Sequence, residues 1–175
     1  NHPIKSLVVI SHIRQANVGE VCLPNTHPFY RQMWGKTWSY AHNGQLADSD
    51  SLCSGHHQVL GSTDSEKAFC WILAQLQDTF SDHEPNVERL SEKLHTLCEA
   101  LRQMGVFNMM LSDGDKLMCY CTTKLHWITR RAPFKQATLS DDDVSVDFKE
   151  VTTDKDVVTV IATQPLTNDE TWQQM

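Results

Sequence analysis

The hydrophobic period of the chain changes at Gly105. From Thr63 to Met104 apolar residues recur every three or four positions, and beyond Gly105 they recur in short runs with the period of strands. Thr63-Asp64-Ser65-Glu66 matches the capping box that opens helices, and Phe69, Ile72, Leu73, Leu76 and Phe80 follow on one helical face. Pro85 suits the first turn of a second helix, in which Val87, Leu90, Leu94, Leu97, Leu101 and Met104 keep the period until Gly105 ends it. Only a few residues around Ser81-Asp82-His83 join the two, so the helices are expected to be neighbours. Val106 to Leu111 and Lys116 to Thr122, linked by Ser112-Asp113-Gly114-Asp115, read as a hairpin. Leu125 to Thr129 and Asp156 to Thr163 read as two further strands, the second a buried run of Val157, Val158, Val160 and Ile161.

Ahead of the helices, Ser6 to Ile10 suits a short buried strand that delivers the polar cluster Ser11-His12-Ile13-Arg14. Val18 to Gly35 reads mostly as loop, with Phe29, Tyr30, Met33 and Trp34 packing beneath it. Thr37 to Ala41 alternates as a strand does and is expected to stop at Asn43-Gly44, a dipeptide that favours a tight turn. Strand, strand, helix, helix and then several strands is the order of an α+β fold, with antiparallel sheet packed on a helical layer. At 175 residues one core, and so one domain over residues 1–175, is expected.

Composition narrows the class. Hydrophobic residues make up 40% and charged residues 21%, a globular balance, and the longest apolar run, Leu7 to Ile10, is far too short to cross a bilayer. The net charge of −7 repels phosphate backbones, and Lys124, Arg130, Arg131 and Lys135 make only a weak basic patch, so neither nucleic acid nor a membrane is an expected partner. Six cysteines are too few for a stapled scaffold, and Cys70 and Cys98 lie in apolar helical patterns as core residues would. With no secretory signal in the sequence, this points to a reducing compartment and a cytoplasmic location. Cys119-Tyr120-Cys121 and His56-His57 do not complete a tetrahedral metal set, and Ser140-Asp141-Asp142-Asp143 lacks the ligand alternation of a calcium loop and reads as a solvated turn. No metal and no cofactor are expected, and Trp71, Phe80 and Trp127 sit at core spacing.

Four polar clusters fall where strands end or a helix begins: His12-Ile13-Arg14-Gln15-Ala16-Asn17-Val18-Gly19, Asn25-Thr26-His27-Pro28-Phe29, Tyr40-Ala41-His42-Asn43-Gly44 and Gly61-Ser62-Thr63-Asp64-Ser65-Glu66. Taken singly, each has a structural explanation as a turn, a cap or a surface charge. Together they suit one task. The planar fork of Arg14 fits an α-carboxylate and the charge of Asp64 fits an α-ammonium, so the pair can clamp a free amino acid. Asn43 and Gly44 then offer a side-chain amide and a backbone N–H to an oxyanion at the far end of that amino acid, which is a site for acyl transfer.

The same phrases, in the same order, make the chain resemble the class II, N-terminal-nucleophile glutamine amidotransferase family, with its HxRxAxxG, HP, HNG and (T/S)D(T/S)E motifs. The wording is similar to the small bacterial members of the YafJ type over essentially the whole chain, including Leu125 to Phe134 and Val157 to Leu166. The resemblance implies a four-layer αββα sandwich. It implies that Arg14 binds the glutamine α-carboxylate, Asp64 its α-amino group, and Asn43 with Gly44 the oxyanion. His27 and His42 are placed among the substrate-binding residues, and with His12 they support the site rather than act as triad bases.

The family's nucleophile is an N-terminal cysteine whose own α-amine takes the thiol proton, whereas this sequence begins Asn1-His2-Pro3 and none of its six cysteines is N-terminal. The expectation is a single class II amidotransferase domain incomplete at both ends, lacking its N-terminal strands and holding the substrate clamp without the nucleophile. The implied activity of the intact protein is hydrolysis of the glutamine side-chain amide to glutamate and ammonia through a cysteinyl thioester. Any ammonia acceptor would be a separate partner enzyme. A γ-glutamyl amide of a larger metabolite is an alternative substrate, and a non-catalytic glutamine sensor is the alternative if the chain starts at Asn1.

Overall fold

Thr63 opens the first helix as its place in the sequence implies, its hydroxyl oxygen accepting the Glu66 N–H at 3.2 Å. The computed structural model describes residues 6–13, 22–141, 145–147 and 152–175 and divides into two units, Asn1–Thr122 and Thr123–Met175. In the first, strands β1 (Phe29–Met33), β2 (Lys36–Leu46), β3 (Gly105–Ser112) and β4 (Leu117–Tyr120) form an antiparallel sheet in that order. Helices α1 (Asp64–Phe80) and α2 (Val87–Leu101) supply the helical layer. The fold is thus mixed α+β, as the order of periods predicts.

Alternation along β2 decides what each face carries. Trp38, Tyr40, His42 and Leu46 are buried, and Trp38, Tyr40 and Leu46 join Phe107, Met109 and Leu111 of β3 in the core. Phe69, Ile72, Leu73 and Leu76 of α1 and Leu90, Leu94, Leu97 and Leu101 of α2 complete that core. The rings of Tyr40 and Phe69 stack 5.0 Å apart and 4° from parallel. Each such buried side chain contributes about 1.5–3 kcal/mol of transfer free energy, so this cluster is the main stabilising element of the unit.

Several expectations are corrected. Ser6 to Ile10 forms no strand, and Leu7 and Val9 are exposed, because no ladder partner among the described residues pairs with them. The segment read as loop contains β1, which a two-residue turn at Trp34-Gly35, both with positive φ, folds back onto β2. Asn43-Gly44 is no turn: β2 runs through it to Leu46, since pairing with β3 (Asn43 opposite Asn108, Gly44 opposite Phe107) outweighs the local preference of the dipeptide. Pro85 lies ahead of α2 rather than in its first turn, and the next residue, Asn86, caps the helix by accepting the Arg89 N–H at 3.0 Å. The helix stops at Leu101 rather than running on to Met104.

In the second unit, β8 (Val157–Ala162), β5 (His126–Arg131) and β9 (Gln173–Gln174) form one sheet, and β6 (Gln136–Thr138) pairs with β7 (Ser145–Asp147). The valines at 157 and 158 are exposed rather than buried, since β8 is an edge strand with β5 as its partner on one side. Glu170 ties the tail to β5, accepting from Arg130 Nε at 2.8 Å and from its Nη2, and from the Thr167 hydroxyl at 2.6 Å. Of the acidic run at 140–143, residues 142 and 143 lie outside the described residues. No described helix is long and apolar enough to cross a membrane.

A charge cluster joins three connections of the first unit. Lys36 Nζ lies 2.7 Å from Glu84 and 2.9 Å from Asp113, while Lys116 Nζ lies 3.1 Å from Glu84 and 3.0 Å from Asp113. Burial alone would raise the Asp113 carboxyl, but the hydrogen bonds from Lys36 and Lys116 outweigh it and hold the group well below the usual carboxylate range. A depressed carboxyl stabilises the fold above its unfolded value near 3.8, and loses that contribution as pH falls through its folded value. Asp113→Asn is therefore expected to cost about 1–3 kcal/mol at pH 7, read as a lower urea midpoint, with the gap to wild type narrowing in acid below pH 3.8. Equal midpoints at pH 7 would show that the carboxylate carries no stability.

Candidate active site

The first two residues of α1 grip β2 on either side of Asn43-Gly44. Asp64 Oδ2 accepts the Leu46 N–H at 2.7 Å and Oδ1 accepts the Ser65 N–H at 2.9 Å. One residue on, the Ser65 hydroxyl meets His42 Nδ1 at 2.9 Å. His42 Nε2 lies 3.1 Å from the Val106 carbonyl on β3, which can only accept, so Nε2 carries the proton and Nδ1 is the acceptor for Ser65. Burial pushes the His42 imidazole below its usual range, and His12 adds to that, while the Val106 bond and the Asp64 charge pull the other way. His42 is a neutral, doubly tethered ring inside the structure. It stands beneath the strand rather than in front of it.

Gly44 is required by the same contact. A Cβ at this position would sit 1.9 Å from the Val106 oxygen and 2.7 Å from His42 Nε2. Gly105 on the neighbouring strand has the mirror problem, with its Cβ position 2.1 Å from the Gln45 oxygen. The two strands can approach this closely only because both positions lack a side chain.

Asn43 points to the opposite face from His42 and is exposed. Its backbone is held by a side chain: Asn108 Nδ2 donates to the Asn43 carbonyl at 2.9 Å, and Asn108 Oδ1 accepts the Thr122 N–H at 3.0 Å. Phe107 N–H turns away as well, donating to the Thr122 hydroxyl at 3.0 Å. The β2–β3 ladder at Asn43-Gly44 is thus supplemented by the Asn108 side chain, which is itself held by Thr122.

The other motifs converge on the same corner. Asn25, buried, accepts the Ser62 N–H at 2.8 Å and its Nδ2 lies 3.3 Å from the Ser62 hydroxyl. His27 lies between His12 and Phe29, with ring centroids 4.3 and 4.5 Å apart. Glu66, fully inside, accepts the Leu60 and Gly61 N–H groups at 3.0 and 2.6 Å and pairs with Arg31, whose guanidinium also donates to the Gln58 carbonyl at 2.7 Å. The Glu66 carboxylate therefore serves the preceding loop, so the capping box is used only through Thr63. Asn43, Gly44, Asp64, His42, His27 and His12 all belong to this one corner, whereas Arg14 lies outside the described residues.

Sequence reading missed three of these roles. Ser65 is hidden inside a capping motif, Asn108 inside a hydrophobic strand, and Arg31 inside a segment read as loop. A polar residue in an otherwise apolar strand is the one available signal, and it applies to Asn108. None of the six cysteines is in a disulfide. Burial pushes Cys98 up to about 12 and Cys119 up to about 11, and raises Cys70, which disfavours the nucleophilic thiolate at all three. No cluster of three metal-binding side chains occurs among the described residues.

What the corner offers chemically is a carboxylate at a helix start, an exposed carboxamide and a rigid glycine in a strand. The model of the class-II glutamine amidotransferases matches residues 1–175, and the chain belongs to that family. It is 57% identical over its whole length to the protein named "Putative glutamine amidotransferase YafJ" of Escherichia coli K12, covering 69% of that protein. A Haemophilus influenzae protein of the same description is 43% identical over 172 residues, of which the chain spans 58%. The crystal structure of a predicted glutamine amidotransferase from Pseudomonas aeruginosa superposes with a TM-score of 0.82 at 52% identity, over 94% of this chain and 64% of that one. The chain thus spans between 58% and 69% of the length of these relatives.

The two glycine environments make opposite forecasts. Gly44→Ala is expected to cost about 3 kcal/mol through overlap with backbone, whereas Gly35→Ala, with nothing within 4 Å of the added carbon, should cost about 1 kcal/mol from its positive φ alone. Urea unfolding of both variants checks the order, and a Gly44→Ala protein as stable as wild type would contradict the close approach of β2 and β3.

Proposed function

We propose that this chain is the glutaminase part of a class II amidotransferase, which hydrolyses the side-chain amide of glutamine to glutamate and ammonia. The observation that carries the reading is the seating of Asp64 and Ser65 on β2 around Asn43-Gly44. The Asp64 carboxylate at the helix start suits an α-ammonium, and the exposed Asn43 carboxamide with the Gly44 N–H suits an oxyanion. Arg14 takes the α-carboxylate, and His27 and His42 support the pocket.

The nucleophile is an N-terminal cysteine in the complete protein. Its α-amine takes the thiol proton, and the sulfur attacks the amide carbon. Asn43 and Gly44 hold the resulting oxyanion, ammonia leaves with the transferred proton, and water hydrolyses the thioester through a second tetrahedral intermediate. The complete fold is a four-layer αββα sandwich in one domain, and an ammonia-accepting enzyme is the partner. Six cysteines outside any disulfide suit a cytoplasmic setting.

The full-length protein is expected to gain one covalent adduct from a diazo-ketone glutamine analogue and to release ammonia from glutamine. Asn43→Ala should lower kcat about a hundredfold with KM nearly unchanged, the usual effect of removing one oxyanion donor. Loss of binding without a separate rate effect, or an unlabelled protein, would overturn the assignment.

A further inference from the structure

We propose that Ser65 is a positioning residue for amide cleavage, its hydroxyl tying the start of α1 to His42 and so fixing Asn43-Gly44 relative to Asp64. This inference rests on the glutaminase reading above and adds a role that the clamp and the oxyanion donors do not themselves contain.

The argument is one of bond direction. Val106 O accepts from His42 Nε2, which leaves Nδ1 without a proton, and the only proton Ser65 Oγ has is spent on Nδ1 at 2.9 Å. Asp64 Oδ1 receives the Ser65 backbone N–H at 2.9 Å and lies 3.4 Å from the Ser65 hydroxyl, a longer contact than the 2.9 Å between that hydroxyl and His42 Nδ1. The hydroxyl is turned toward the ring and the carboxylate keeps an open lone pair for an incoming ammonium. The titratable groups around the ring are Asp64 from α1, Tyr40 from its own strand and His12 from the first segment.

Position follows from the same chain of bonds. Asp64 holds Leu46 and Ser65 holds His42, so two tethers from consecutive helical residues flank the dipeptide that carries the oxyanion donors. His42 then passes the constraint to β3 through Val106, whose carbonyl presses on Gly44. Without the Ser65 hydroxyl, Asp64 keeps its own bond to Leu46 and the ammonium site stays where it is. What loosens is the strand between the tethers. The deficit should therefore appear in turnover rather than in binding.

The test is carried out on the full-length protein with three variants and two readouts. Ser65→Ala is expected to lower kcat about tenfold or more, in line with the cost of small misplacements at a reacting centre, with KM within about twofold of wild type. Ser65→Thr retains the hydroxyl and should recover most of the rate. Nitrogen-15 spectra of the imidazoles, with His42 assigned by its loss in His42→Gln, should show a proton on Nε2 and none on Nδ1 in the wild type. Ser65→Ala turnover equal to wild type, or failure of Ser65→Thr to recover any of the loss, would overturn the role. So would a His42 ring protonated at Nδ1 at neutral pH, a result that needs no variant to fold. A wild-type protein that does not hydrolyse glutamine would overturn the glutaminase reading and this role with it, whereas a normal wild type matched by Ser65→Ala overturns this role alone.

Discussion

The seating of helix α1 on strand β2 is the constraint on which the rest of the first unit depends. The helix brings its apolar face to the sheet through Phe69, Ile72, Leu73 and Leu76. Burial of that face is non-directional and leaves the helix free to slide or turn by small amounts. The directional bonds of its first turn remove that freedom. Asp64 and Ser65 bind β2 at Leu46 and His42, and Glu66 binds the loop before the helix and Arg31 of β1. Three consecutive polar side chains thus convert a greasy contact into a defined one.

Such a corner requires buried polar groups, which are stable only when their hydrogen bonds are met. His42 has both ring nitrogens engaged, and Glu66 accepts from two backbone N–H groups and a guanidinium. The Tyr40 hydroxyl differs: it is buried and has no hydrogen-bond partner among the described residues. Burial raises its pKa, so the phenol stays neutral beside the charge of Asp64. The first turn of α1 is one of several places where the unit buries polar groups, Asp113 and His57 being others, and each is met by partners.

Much of this was legible in residue order, and what was illegible has physical causes. Helices were announced by cap and period, because Thr63 and the Phe69 to Phe80 stripe are local features that tertiary contacts reinforce. The hairpin after Gly105 followed from the change of period in the same way. Asn43-Gly44 was misread because a dipeptide preference is worth little against a strand on either side, and β1 was missed because its five residues carry two outward polar side chains and border a Pro. For the site, the residue types facing a substrate could be read from the motifs. The groups that hold them, Ser65, Asn108 and Arg31, could not, because their partners lie 23, 65 and 35 residues away in sequence.

The paired glycines of β2 and β3 also act as a vernier. An alternating strand that slips by one residue exchanges its faces, which would carry Asn43 into the core and His42 out of it. Gly44 beneath Val106 and Gly105 beneath Gln45 permit close approach at two adjacent points, and a one-residue slip would bring side chains against backbone at both. Two missing methyl groups thus determine which side of the sheet faces the chemistry.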